Sequence, residues 1–65
     1  MTYQDVLRLP PGTAVLLADG RTGRVVSWYH TAESVGVRVG MEPAIVIQCA
    51  RLSPNGTGAL IESAG

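Results

Sequence analysis

The chain is 65 residues long, with five acidic and five basic side chains, a formal net charge of zero, and 46% hydrophobic against 15% charged residues. A domain of this size buries only about 60% of its unfolded surface and is marginal alone. One cysteine (Cys49) excludes an intrachain disulfide, and with one histidine (His30) it falls short of a structural zinc site.

Self-association is therefore the expected support. All five basic residues are arginines, at 8, 21, 24, 38 and 51. They are scattered, so the basic stripe of a nucleic-acid binder is missing and nucleic acid is not an expected partner. No apolar run approaches the roughly 20 residues of a membrane span. The first residues lack the basic region and apolar stretch of a signal peptide. A soluble, cytoplasmic protein is the expectation, with some apolar surface facing a partner.

Residues 1–11 read as an N-terminal tail or a short docking helix, with Thr2 as N-cap and Asp5 at the capping-box position. Leu9-Pro10-Pro11-Gly12 ends it, because each proline biases its predecessor away from the helical region. A barrel is expected over 12–62. TAVLLA (13–18) is a first strand running into Asp19-Gly20, a hairpin signal. RVVSWYH (24–30), rich in β-branched and aromatic residues, is a second. The polar TAES (31–34) leads to VGVRV (35–39), which alternates cleanly. Gly40 to Pro43 makes a turn before AIVIQC (44–49). ARLSPNG (50–56) reads as a tight connector with a 3₁₀ turn, TGALIE (57–62) as a fifth strand, and 63–65 as a frayed end. About five short antiparallel strands at such spacing predict an all-β SH3-like barrel. An OB-fold is the rival, and it requires a longer chain and a helix between its later strands.

Two strands are apolar on both sides. In 44–49 and the residue after it, one face holds Ile45, Ile47 and Cys49, the other Val46, Gln48 and Ala50. In 24–30 strict alternation sets Val26, Trp28 and His30 against Val25, Ser27 and Tyr29. A strand with one face in water should alternate apolar and polar residues. Two adjacent strands that do not imply two contact surfaces, a core and a subunit interface.

Catalytic groups are sparse. Gly20 and Gly23 lie in a hairpin, without the strand-to-helix context of a phosphate loop. No local pattern makes a nucleophilic triad of His30, Cys49 and an acid. His30 reads as a rim or interface residue, and Cys49 as a small apolar filler.

Gly-Arg-Val-Val-Ser-Trp-Tyr-His-Thr, 23 to 31, resembles a segment of the type II, plasmid-encoded, trimethoprim-insensitive dihydrofolate reductases. There a glycine, two apolar residues, a small residue and Trp-Tyr-x-Thr follow in the same order. The likeness extends more weakly over 12–52: Gly36 to Val39 resembles the family's next strand, and Pro43 the proline ahead of its pore strand. The resemblance implies an SH3-like barrel assembled as a homotetramer around a central pore, with NADPH as cofactor. It also implies Trp28 at the subunit interface, where His30 is expected on its own account, leaving Tyr29 to close the barrel. The family lines its pore with Val-Gln-Ile-Tyr. The matching positions are Ile45, Val46, Ile47 and Gln48, so Val46 replaces the glutamine and Gln48 the tyrosine. The pore-mouth lysine falls near Leu17 in a chain without lysine. A neutral pore loses charge-assisted hydrogen bonds to an anionic cofactor. Fold and tetramer are thus expected to carry over, with neither catalytic residue, metal nor cofactor assigned. A self-associating module is the first expectation, and an NADPH-dependent reductase with a small-molecule ligand at 45–48 the alternative.

Overall fold

A computed structural model describes residues 1–63, so of the expected frayed end Ala64 and Gly65 lie outside the described residues. The first element is a helix, α1 (Tyr3–Leu7). Its start follows from the two residues the sequence singles out. Thr2 Oγ1 accepts from the Asp5 amide at 3.3 Å, while Asp5 Oδ2 accepts from the Thr2 amide at 3.4 Å and the Thr2 hydroxyl at 2.8 Å. The Thr2 hydroxyl, then the Thr2 amide, hold the Asp5 carboxyl below the usual carboxylate range. Tyr3 and Val6 are buried in the core, so the helix docks on the sheet.

So short a helix depends on its cap. Thr2→Ala should cost about 1 kcal/mol in chemical denaturation. A depressed carboxylate contributes its stability above the unfolded-state value and loses it as pH falls through the lowered folded value. The gap between wild type and Thr2→Ala should therefore close on acidification below the ordinary Asp range. A gap that stays constant there would remove Asp5 from the cap.

Six strands follow: β1 (Ala14–Leu16), β2 (Thr22–Tyr29), β3 (Ser34–Arg38), β4 (Ile45–Gln48), β5 (Leu52–Pro54) and β6 (Leu60–Glu62). They form one sheet in the order β4-β3-β2-β1-β6-β5. The β1–β2 hairpin turns at Asp19-Gly20 as expected. Gly20 supplies a φ of +93°, and Asp19 accepts from the Arg21 amide and guanidinium. A 3₁₀ turn (Cys49–Arg51) carries the chain from one edge, β4, to the other, β5, and the sheet curls into a half-barrel.

The expectation of about five antiparallel strands is corrected at the end of the chain. The stretch 50–56 is not a plain connector, because Leu52–Pro54 is itself a strand. Asn55 Oδ1 accepts from the Thr57 and Ala59 amides and from the Thr57 hydroxyl, and Gly58 takes a φ of +87°. This turn reverses the chain, so β6 begins at Leu60 rather than 57 and pairs antiparallel with β5. Having turned, β6 meets β1 in parallel, Val15 opposite Leu60 and Leu16 opposite Ile61. Pro54 explains which strand lies outside: it cannot donate to a ladder and is tolerated at a sheet edge. The sheet is therefore mixed.

The core is built from Val6, Val15, Val25, Val35, Val37, Ile47, Cys49, Leu52 and Leu60, each 3% exposed or less, with Tyr3 and Leu17 beside them. Five of these eleven are valines, so the core is thin in large side chains. Gly23 belongs to it by necessity. A Cβ there would stand 2.5 Å from Val37 Cγ1 and 3.0 Å from the Arg38 carbonyl.

Candidate interaction surface

β2 does not alternate as a plain strand. Val25 pairs with Val37, yet Ser27 pairs with Gly36 and Trp28 with Val35, so a bulge absorbs Val26. A bulge shifts the phase of every later side chain by one. Val25 and Trp28 consequently share the inner side, where Trp28 packs against the core. Tyr29 comes out, 43% exposed. Trp28 was expected outward at an interface and Tyr29 inward; this one inserted residue exchanges the sides the two rings face. The Trp28 Nε1–H is buried without a hydrogen-bond partner.

The sequence-derived ligand stretch also divides. Ile45 and Ile47 stand opposite Val37 and Val35, with Ile47 buried at 3% and Ile45 opening to solvent at the sheet edge. Val46 and Gln48 stand opposite Gly36 and Ser34, on the other face. Ile47 is thus a core residue and cannot line a pore. Val46 is 63% exposed and Gln48 exposed. His30 is exposed and stacks edge-on against Tyr3, ring centres 5.3 Å apart, tying the end of β2 to α1.

What the structure gathers is an outer face across β2, β3 and β4. Gly36 lies at its middle. A Cβ there would meet Ser27 Oγ at 2.2 Å and Tyr29 Cε2 at 3.4 Å. The glycine lets the Tyr29 ring lie across β3, where the Ser27 hydroxyl donates to the Tyr29 oxygen at 3.2 Å. Val26 and Val46 flank it, 46% and 63% exposed. β4 adds an edge whose four residues, Ile-Val-Ile-Gln, carry no charge. A sheet edge without charge, proline or bulge is open to pairing with another strand.

Charge on this face gathers at one end. Arg24 and Arg38 stand opposite each other on β2 and β3, and neither meets a carboxylate among the described residues. The Arg24 guanidinium donates to the Gly12 carbonyl at 2.9 Å. Both arginines border a hollow of about 360 Å³ with Thr22, Val26 and Gly40. At the other end of β3, Glu33 turns the chain with a φ of +48°. The sequence offered no sign of the bulge, so Val26 and Tyr29 were not legible as one surface.

Among the described residues no three His, Cys, Asp or Glu side chains gather as metal ligands, and no helix is long and apolar enough to cross a membrane. Cys49 is 1% exposed, and burial pushes its thiol up. The native protein should therefore resist alkylation by iodoacetamide at mild alkaline pH and react fully in denaturant. Rapid native labelling would show that the 3₁₀ turn opens.

No known protein family matches the chain, and neither a curated protein nor a solved structure matches it. Function rests on the surface itself.

Proposed function

We propose that the protein is a small SH3-like barrel module that works by self-association, with the outer face of β2, β3 and β4 as its contact surface. The observation that carries this reading is the exposure of Val26 and Tyr29 on β2 and of Val46 on β4, on either side of β3, in a 65-residue chain. A domain of that size gains the stability it lacks when such a face is covered. The uncharged β4 edge is a second, separate surface, and two self-complementary surfaces per copy close a tetramer with two-fold symmetry. Light scattering over a wide concentration range tests the reading. Mass should rise with concentration toward a closed oligomer, and a monomer at every concentration would overturn it.

A second reading, a reductase of the type II dihydrofolate kind, has one observation behind it. Gln48 stands exposed on the same side of β4 as Val46, and these are the two positions that match the pore-lining glutamine and tyrosine of that family. NADPH oxidation with dihydrofolate, followed with and without trimethoprim, tests it. Turnover insensitive to trimethoprim and lost in Gln48→Ala would establish the activity.

A further inference from the structure

Arg24 and Arg38 are two cations side by side without a counter-charge. They stand directly opposite each other on β2 and β3, exposed on the side away from buried Val25 and Val37. Residues so placed have Cβ atoms about 4.5–5.5 Å apart, and like charges there are destabilising. The five acidic side chains of the sequence are placed elsewhere. Asp19 and Glu42 engage Arg21, Glu62 engages Arg51, and Asp5 caps α1. Glu33 lines a separate hollow with Met1, Tyr3 and Cys49. The arginine pair therefore stands to gain from an anion supplied by solution. The hollow it borders, about 360 Å³, falls at the lower end of the range for small-ligand sites, about 300–1,000 Å³.

We infer that this hollow binds the phosphate group of a small phosphate monoester, held between Arg24 and Arg38. The chemistry of the donors selects the ligand. A guanidinium presents its N–H groups as a planar fork that takes two oxygens at once. Two forks on one group call for at least three oxygens and more than one negative charge. A phosphate monoester has three such oxygens and carries about −1.5 to −2 at pH 7, whereas a carboxylate offers two oxygens and a single charge. Arg24 is already oriented, because its guanidinium donates to the Gly12 carbonyl at 2.9 Å and keeps its other N–H groups for the ligand. A side chain fixed beforehand costs less to order on binding. Thr22 adds a hydroxyl to the rim, and Val26, 46% exposed, forms an apolar wall. That wall suits the carbon part of an ester and is left unused by inorganic phosphate. Every lining residue comes from one copy, so the site does not depend on self-association.

Amide chemical-shift titration of the isotope-labelled full chain tests the site. The probes are propyl phosphate, inorganic phosphate and acetate, with sodium chloride at matched ionic strength as reference. Propyl phosphate should give saturable shifts at Thr22, Arg24, Arg38 and Gly40. It should bind more tightly than inorganic phosphate, and about tenfold or more tightly than acetate. Arg38→Gln should weaken its binding by about tenfold or more, the loss of a hydrogen-bonded contact to a charged group. Arg8→Gln, at the end of α1, should leave binding unchanged. Circular dichroism checks that both variants are folded. Shifts that chloride reproduces, or ester binding that survives Arg38→Gln, overturn the site. Acetate bound as tightly as the ester overturns the phosphate assignment, and inorganic phosphate bound as tightly overturns the ester. None of these results bears on self-association, which light scattering reads without any added anion. A wild-type monomer that binds the ester supports this site while overturning the assembly.

Discussion

Leu60→Ala should lower the stability of the protein by about 2–5 kcal/mol, the cost of emptying a buried leucine site. For 65 residues the whole folding free energy is roughly 3–10 kcal/mol, at about 0.05–0.15 kcal/mol per residue. One truncation is thus expected to leave the chain largely unfolded or close to it. Leu60 is fully buried, and it sits on the strand that holds the end of the chain to the rest. β6 pairs in parallel with β1 on one side and antiparallel with β5 on the other. Losing its anchor releases two strands at once. Urea denaturation followed by Trp28 fluorescence measures the change, with protein concentration held fixed because association adds to apparent stability. A loss below about 0.5 kcal/mol, the size of an ordinary surface substitution, would mean that β6 does not close the core.

Local features of the fold were legible in the sequence. Thr2 and Asp5 form the capping box their spacing indicated, Asp19-Gly20 turns the first hairpin, and a 3₁₀ turn stands where the fourth strand ends. Each depends on residues a few positions apart, whose chemistry is written in order. Two features were not legible, for different reasons. The bulge at Val26 follows no glycine and breaks no pattern in Val25-Val26-Ser27, because it arises from how β2 meets β3. Its consequence is large, since it exchanges the faces of Trp28 and Tyr29 and decides what the outer surface is made of. The parallel pairing of β1 with β6 joins residues 45 positions apart, Val15 with Leu60 and Leu16 with Ile61. No local signal encodes so distant a partner, and Asn55, which makes it necessary by reversing the chain, read only as turn punctuation. Gly23 shows the same limit. It counted as a hairpin glycine, yet its place against Val37 is a core contact that no larger side chain can occupy.

Val46→Glu should abolish self-association while leaving the isolated protein as stable as wild type, within about 0.5 kcal/mol. Ile47→Glu, one residue later, should prevent folding. The two differ only in which face of β4 they occupy. Val46 is 63% exposed opposite Gly36, and Ile47 is 3% exposed opposite Val35. A carboxylate at 46 stays solvated in the monomer but would be carried into the apolar contact on assembly, without a cation opposite it. Burying an unpaired charge costs several kcal/mol, and a symmetric contact incurs that cost twice. At 47 the same cost falls on folding itself, so the chain has no compact state left in which to test assembly. Light scattering and urea denaturation on both variants separate the faces. Val46→Glu that still assembles would move the contact away from the outer face, to the β4 edge, whose backbone this substitution leaves open. Val46→Glu that loses stability as a monomer would show instead that the outer face is part of the fold.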